Sequence, residues 1–257
     1  MKIDFNKYEG TGNDFIVIDN RNLSFISDRK LISAMCHRRF GIGADGLILI
    51  EPEPGAHFRM RYFNADGGEG SMCGNGGRCA ARFAFMHGIA PSQMEFIAFD
   101  GKHQAFVAGD SVTITLKDVS KIEHDGNTCF LNTGSPHYVE FLNQLDNSDI
   151  VLRGREIRYS SRFEPGGTNV NFVKAENDRI VVRTYERGVE DETLSCGTGV
   201  TASAIAAVVT GHFDSIPVKV QTLGGELMVD FMVRGGSATD IRLTGSATFV
   251  FSGTYES

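Results

Sequence analysis

The amino-acid sequence predicts an α+β protein of two pseudo-symmetric, β-rich halves, each wrapped around a central helix. Three observations predict it. A set of motifs recurs once along the 257 residues at nearly constant spacing. Most patterned segments are short, rich in β-branched or aromatic residues, and bounded by Gly, Asp, Asn or Pro, as strands are. Each half also carries one helix that opens directly after a Cys-Gly-x-Gly sequence.

The repeat comes first because it sets the domain count. Thr11-Gly12-Asn13-Asp14-Phe15-Ile16-Val17 resembles Thr133-Gly134-Ser135-Pro136-His137-Tyr138-Val139, an offset of 122. Arg61-Tyr62-Phe63-Asn64 resembles Arg183-Thr184-Tyr185-Glu186 at the same offset, and Cys73-Gly74-Asn75-Gly76 resembles Cys196-Gly197-Thr198-Gly199 at 123. Gly88 matches Gly211, and Phe99-Asp100-Gly101 matches Leu223-Gly224-Gly225. One such match is weak; five in one order point to a duplication rather than to coincidental Gly-rich loops. The halves are expected at 1–120 and 121–246, with a strand in 247–257 returning to the first half.

Strands are expected at 15–19, 47–50, 57–63, 94–99 and 112–116 in the first half. In the second they are expected at 129–131, 138–142, 170–174, 180–185, 218–223, 227–232 and 241–243. Residues 28–39 read as a helix with a polar cap. Helices at 75–87 and 197–210 are each followed by a glycine suited to the C′ position. The second is apolar or small on every face, so it belongs inside its domain.

Composition limits the function. The chain is 41% hydrophobic and 22% charged, with a formal net charge of −7. That balance fits a folded soluble protein and argues against a nucleic-acid or acidic-membrane partner. Thirty glycines without a three-residue period exclude collagen and point to turns and close backbone approaches. No apolar run reaches the roughly 18 residues of a membrane span; the longest lies at 200–209. The start carries charges where a signal peptide needs an apolar core. Cys36, Cys73, Cys79, Cys129 and Cys196 are odd in number and dispersed, unlike a secreted disulfide scaffold. A cytoplasmic protein with reduced thiols is expected.

Gly41-Ile42-Gly43-Ala44-Asp45-Gly46 matches G-x-G-x-x-G. It follows a helix and precedes a strand, the reverse of a dinucleotide site, so it reads as a turn. The cysteine loops carry more. A helix mouth favours a thiolate, and its N–H groups favour a carboxylate. Cys36, Cys79 and Cys129 fall inside predicted elements and read as inert core. Cys73 and Cys196 recur at matching helix mouths. Two equivalent groups suit inversion of a carbon, one removing a proton from one face while the other returns one to the opposite face. Thiols can do both. The enolate-like charge needs preorganised donors, and two helix starts can supply them. Pyridoxal phosphate needs a lysine, and the loops at 64–78 and 185–199 have none. No cofactor and no metal are expected.

These residues resemble the diaminopimelate epimerase family. The resemblance rests on Gly10-Thr11-Gly12-Asn13-Asp14-Phe15, Phe63-Asn64-Ala65-Asp66-Gly67, Cys73-Gly74-Asn75-Gly76-Gly77-Arg78, Tyr185-Glu186-Arg187-Gly188 and Cys196-Gly197-Thr198-Gly199. It implies a β-rich barrel around a helix in each half and a site in the cleft between them. Cys73 and Cys196 would exchange protons between LL- and meso-diaminopimelate, with His137 and Glu186 helping to manage them. Gly74, Asn75, Gly197 and Thr198 would hold the reacting carboxylate. Asn13, Asn64, Asn169, Glu186 and Arg187 would line the pocket, with Arg187 suited to the distal carboxylate. Lysine and cell-wall precursor synthesis and a possible homodimer are inherited from the same likeness.

Proline racemases look similar but carry Cys-Gly-His-Gly at the first cysteine, and phenazine-type isomerases lack the cysteine pair. Two departures stand out: Ser135 where the family usually has Asn, and Gly46 where it often has Gln. Rival readings are a proline-type racemase, a non-catalytic amino-acid-binding module and a redox cysteine pair.

Overall fold

A computed structural model of the chain describes residues 2–145 and 150–256. The chain divides into two compact units: residues up to Ile114 together with those from Gly245 onward, and Thr115–Thr244.

In the first unit, β1 (Lys2–Gly10) turns antiparallel into β2 (Asn13–Asp19). Thr11 and Gly12 make this turn with positive φ, which glycine adopts without strain. Helix α1 (Arg29–Cys36) then leads to β3 (Gly46–Glu51), parallel to β2. β3 is buried along its whole length, as a near-continuous apolar strand should be. β4 (Phe58–Asn64) returns antiparallel. The central helix α2 (Gly74–Met86) follows, then β5 (Gln93–Ala98), parallel to β4. β6 (Gly101–Ala108) and β7 (Ser111–Thr115) complete a meander. The C-terminal strand Thr248–Glu256 pairs antiparallel with β1.

The second unit repeats this order. β8 (Ile122–Asp125) pairs with β9 (Thr128–Asn132), and β9 with β10 (Pro136–Phe141), both antiparallel. Helix α3 (Ile150–Arg158) precedes β11 (Asn169–Ala175), parallel to β10. β12 (Ile180–Glu186) runs antiparallel to β11, and the short β13 (Asp191–Thr193) pairs with β12. Then come the central helix α4 (Gly197–Val209) and β14 (Val218–Thr222), parallel to β12. β15 (Gly225–Arg234) and β16 (Ser237–Ser246) follow. The registers match as well: Phe15 pairs with Gly46 as His137 pairs with Asn169.

Each central helix is held by its own strands. α4 lies against β9, β10, β11, β12, β14 and β15, and Val200, Ala202 and Ala204–Ala207 are buried. Its buried hydroxyls are satisfied internally: Thr201 Oγ1 donates to Gly197 O at 2.9 Å, and Ser203 Oγ to Gly199 O at 2.8 Å. The two helices also stop alike. Ile89 N donates to Ala84 O and Gly88 N to Phe85 O; His212 N donates to Ala207 O and Gly211 N to Val208 O. This is the Schellman arrangement, with Gly88 and Gly211 in the left-handed region it requires.

Several elements differ from the sequence expectation, among them β8 and β13, which were not anticipated. β1 was not anticipated, because Lys7 interrupts its alternation; the lysine is buried, paired with Asp14 at 2.8 Å. β6 shows clean alternation, but His103 and Lys102 masked it. α1 ends at Cys36 rather than 39. His37 adopts extended ψ, and its Nδ1 accepts the N–H groups of Arg39 and Phe40. α3 carries a mid-helix glycine, normally unfavourable. A Cβ at Gly154 would collide with the Tyr185 side chain, so the glycine lets α3 close on β12.

Gly46 is closely confined. A Cβ there would lie 2.5 Å from both Phe63 O and Tyr62 Cε2. Gly46→Ala is expected to destabilise the fold by about 1–3 kcal/mol. A urea-unfolding midpoint equal to the parent's would contradict that confinement.

Candidate active site

In the first unit, Cys73 is the N-cap of α2. Its Sγ accepts from Gly76 N at 3.5 Å, and its carbonyl from Gly77 N at 2.7 Å. Gly74 and Asn75 begin the helix and are buried. Asn13 opens β2, and its Oδ1 accepts from Asn75 Nδ2 at 3.3 Å and faces Cys73 Sγ at 3.7 Å. The orientation of that amide is fixed from behind. Asp45 Oδ2 accepts from Asn13 Nδ2 at 2.6 Å, and a carboxylate can only accept there. Arg38 bridges Asp45 and Asp14, and Lys7 pairs with Asp14. Burial alone would raise the Asp14 carboxyl, but bonds from Arg38 and Lys7 overrule it and hold it at about 2. Asn64 closes β4 and is exposed; its backbone is tied to the Gly67–Gly68 turn.

In the second unit, Cys196 caps α4 with the same extended backbone. Its Sγ lies 3.5 Å from Thr198 Oγ1, which lies 3.0 Å from His137 Nε2. The direction of this chain can be worked out. Asn171 Nδ2 donates to Tyr138 O at 3.0 Å, an acceptor only, and Asn171 Oδ1 accepts from Thr184 Oγ1 at 2.9 Å. The amide is thus fixed, and its Nδ2 also faces His137 Nδ1 at 3.2 Å. Nδ1 accepts, so a neutral ring carries its proton on Nε2. Nε2–H donates to Thr198 Oγ1, leaving the Thr198 proton to point at Cys196. His137 is fully buried, and burial, with Arg187 second, drives its pKa down to about 3.

Asn169 opens β11. Its Nδ2 donates to Pro136 O at 2.9 Å and Ser135 Oγ at 3.2 Å; its Oδ1 accepts from Arg187 N at 2.9 Å. Ser135 Oγ is also 3.3 Å from His137 Nε2. Glu186 closes β12 half-buried, its carbonyl accepting from Glu190 N at 2.9 Å. The Arg187 side chain is exposed and donates to Gly166 O at 3.3 Å. Gly197 is buried and Thr198 half-buried at the start of α4.

Sequence reasoning missed several residues around these. Asp45, Asn171 and Thr133, which donates to Thr198 O at 2.9 Å, all act on a candidate residue. Asn171 had a signal: it lies two residues beyond Asn169, on the same strand face. Glu190 had none. It sits at positive φ, and its carboxylate takes bonds from Arg158, Tyr159, Tyr185 and Gly188 N. Arg158 is the main cause holding its pKa at about 2. This clamp shapes the loop that carries Glu186 and Arg187.

The remaining cysteines are different. Burial pushes Cys36 up to about 12 and Cys129 up to about 11, and raises Cys79 further. Among the described residues, no group of three His, Cys, Asp or Glu side chains is placed to hold a metal ion. The space beside Gly46 is filled by the Tyr62 ring, which also lies against Gly70.

Comparison with known proteins agrees with the repeat. The profile of the diaminopimelate epimerase family matches residues 5–126 and again 129–250. The diaminopimelate epimerase of Flavobacterium psychrophilum is 48% identical over 251 residues, covering 96% of this chain and 98% of that protein. That of Aquifex aeolicus is 41% identical, covering 98% and 97%. Among solved structures, a Bacillus anthracis phenazine biosynthesis protein of the PhzF family superposes with TM-score 0.79 at 13% identity, covering both chains fully. A hydroxyproline epimerase from Agrobacterium vitis does so with TM-score 0.70 at 14% identity, covering 98% and 92%. These last two establish the two-domain α+β fold. The identities over nearly full length establish more: the chain belongs to the diaminopimelate epimerase family.

Proposed function

We propose that this protein epimerises LL-diaminopimelate to meso-diaminopimelate without a cofactor, in the synthesis of lysine and cell-wall precursors. The observation that carries the reading is the cysteine N-cap that begins the central helix of each unit. One thiolate takes the α-proton while the other thiol delivers a proton to the opposite face. The α-proton is a very weak acid, so the charge forming on the carboxylate must be met. The first helical residues, Gly74 and Asn75 in one unit and Gly197 and Thr198 in the other, carry N–H groups that the helix ladder does not use. With the helix dipole they favour that charge.

The neutral state of His137 gives it a defined part. It works as a hydrogen-bond donor that orients Thr198 toward Cys196, not as a cation beside the thiol. Asn13 plays the facing part at Cys73. Arg187 suits the distal carboxylate and Glu186 an ammonium group, with Asn64 and Asn169 completing the pocket. Family membership and the Glu186-Arg187 pair support a substrate with a second charged end over proline. The thiols must stay reduced, which supports a cytoplasmic enzyme. No helix among the described residues is long and apolar enough to cross a membrane. Phe249, Val250 and Phe251 on the C-terminal strand are about half exposed, which supports a homodimer.

Cys73→Ala and Cys196→Ala are each expected to fold normally and to lose about 10²- to 10⁴-fold or more in turnover. The assay is epimerisation of LL-diaminopimelate in heavy water, with deuterium appearing at one α-carbon. A folded single variant that still turns over briskly would sink the two-thiol reading, and exchange into proline instead would move the substrate.

His137 also predicts an acid sensitivity. Its native pKa lies below the unfolded value of 6.5. Between about 3 and 6.5 the unfolded ring binds a proton that the native ring does not, so its stabilisation is whole above pH 6.5 and fades as pH falls. His137→Gln should remove up to one proton, about 1.4 kcal/mol per pH unit, from the stability slope in that window. Identical slopes for parent and variant would show that the native ring titrates normally.

A further inference from the structure

The backbone at position 190 suits glycine, yet the sequence supplies glutamate. Glu190 has a φ of +61°, a left-handed conformation that glycine adopts freely and a side chain adopts at a cost. Gly188, two residues earlier, is left-handed as well. A glutamate kept there is explained by what its carboxylate does. Arg158 Nε donates to Glu190 Oε1 at 2.9 Å and to Oε2 at 3.0 Å. The Tyr159 and Tyr185 hydroxyls donate to Oε2 at 2.8 and 3.2 Å, and Gly188 N donates to Oε1 at 2.9 Å. Arg158 closes α3, and its Nη2 lies 2.8 Å from Oε1. Its side chain is only 12% exposed.

This pair reaches Arg187 by two routes. Along the chain, Glu190 N donates to Glu186 O at 2.9 Å while the carboxylate holds Gly188 N, so the turn that carries Arg187 is tied across and in its middle. Through space, Gly166 O accepts from Arg158 Nη1 at 3.4 Å and from Arg187 Nη1 at 3.3 Å. The neighbouring Gly167 leaves the guanidinium its room: a Cβ there would lie 1.6 Å from Arg158 Nη1. The turn after β4 in the first unit is held differently. Asp66 Oδ1 accepts from Gly68 N at 2.9 Å, and Arg29 at the start of α1 pairs with Asp66. Those two side chains are 70% and 60% exposed, and an exposed pair contributes little. That turn follows the neutral Asn64, whereas the turn after β12 carries the charges of Glu186 and Arg187. The largely buried clamp stands behind the charged turn.

We propose that Arg158 and Glu190 are positioning residues that aim the Arg187 guanidinium at the distal carboxylate of the substrate, by fixing the 186–190 turn and the Gly166 carbonyl beside it. A fork that binds a carboxylate through two parallel bonds needs direction as well as charge. On a loosened turn Arg187 keeps its charge and loses its aim, and a small misplacement is enough to weaken the grip. The clamp acts on binding. Proton transfer at Cys196 is left to Thr198 and His137, whose bonds with it form a separate chain. The proposal rests on the reading of Arg187 as the partner of the distal carboxylate.

The test is steady-state kinetics with LL-diaminopimelate, following deuterium entry from heavy water. Glu190→Gly suits the backbone and removes the carboxylate; its KM should rise about ten- to a hundredfold. The double variant Arg158→Met/Glu190→Gln leaves no unpaired buried charge, and its KM should rise no further than that of Glu190→Gly, because the two residues act as one unit. In both, kcat should fall by less than about threefold. Arg158→Lys keeps the charge without the fork and should give an intermediate KM. A purely structural pair would lower the melting temperature and leave KM at the parent value. A parental KM in the folded clamp variants, or a loss confined to kcat, overturns the proposal. If Glu190→Gly does not fold, the double variant and Arg158→Lys decide it. Arg187→Met separates the proposal from the reading beneath it. A raised KM there with parental KM in the clamp variants overturns the positioning alone, whereas a parental KM in Arg187→Met overturns the distal-carboxylate reading and the proposal with it.

Discussion

A helix leaves its first N–H groups without partners inside the helix, and everything distinctive here depends on where that deficit is placed. α2 and α4 are surrounded by strands, so their sides and C-terminal ends are satisfied within the fold. Their N-termini are begun by a cysteine followed by glycine. A longer polar cap would consume the N–H groups. A sulfur is a weak acceptor, so it starts the helix without the strong bond that a carboxylate or hydroxyl cap would make. The glycines matter for the same reason: a Cβ at Gly199 would meet Asn171 Oδ1, and one at Gly76 would press on Met60 and Ile48.

The duplication reproduces the framework more faithfully than the chemistry. Strand pairings, parallel crossovers and Schellman ends agree between the units, because each is a backbone solution to burying the same kind of helix. The side chains at the helix mouths diverge. Cys73 faces an amide aligned by Asp45, whereas Cys196 faces a hydroxyl aligned by a buried neutral histidine.

The central helices were readable from sequence because their signals are local. Cys-Gly-x-Gly starts them, a glycine ends them, and the all-round apolar pattern of 200–209 places α4 inside. β3 was readable for the same reason. β1 was not, because the partner that lets Lys7 be buried, Asp14, sits on the next strand. α3 was hidden by Gly154, whose need arises only from contact with Tyr185. At the site, the cysteines and the asparagines at turns were legible as motif residues. Asp45 and Glu190 were not, since each acts through a partner 32 residues away, whereas Asn171 showed only in its strand-face spacing from Asn169.

Arg78 shows why such residues escape a sequence reading. A charged residue in a helix ordinarily marks the solvent face, because burial without a counter-ion is expensive. Three neutral oxygens from the β1–β2 turn, the start of α2 and the approach to the C-terminal strand surround this one. They satisfy its donors but do not cancel its charge. In a low-dielectric interior an uncancelled charge reaches further than it would in water. Thr201 shows that the same helix start can be stitched with a neutral hydroxyl. The cation at position 78 is therefore an expense that this shared hydrogen bond does not explain.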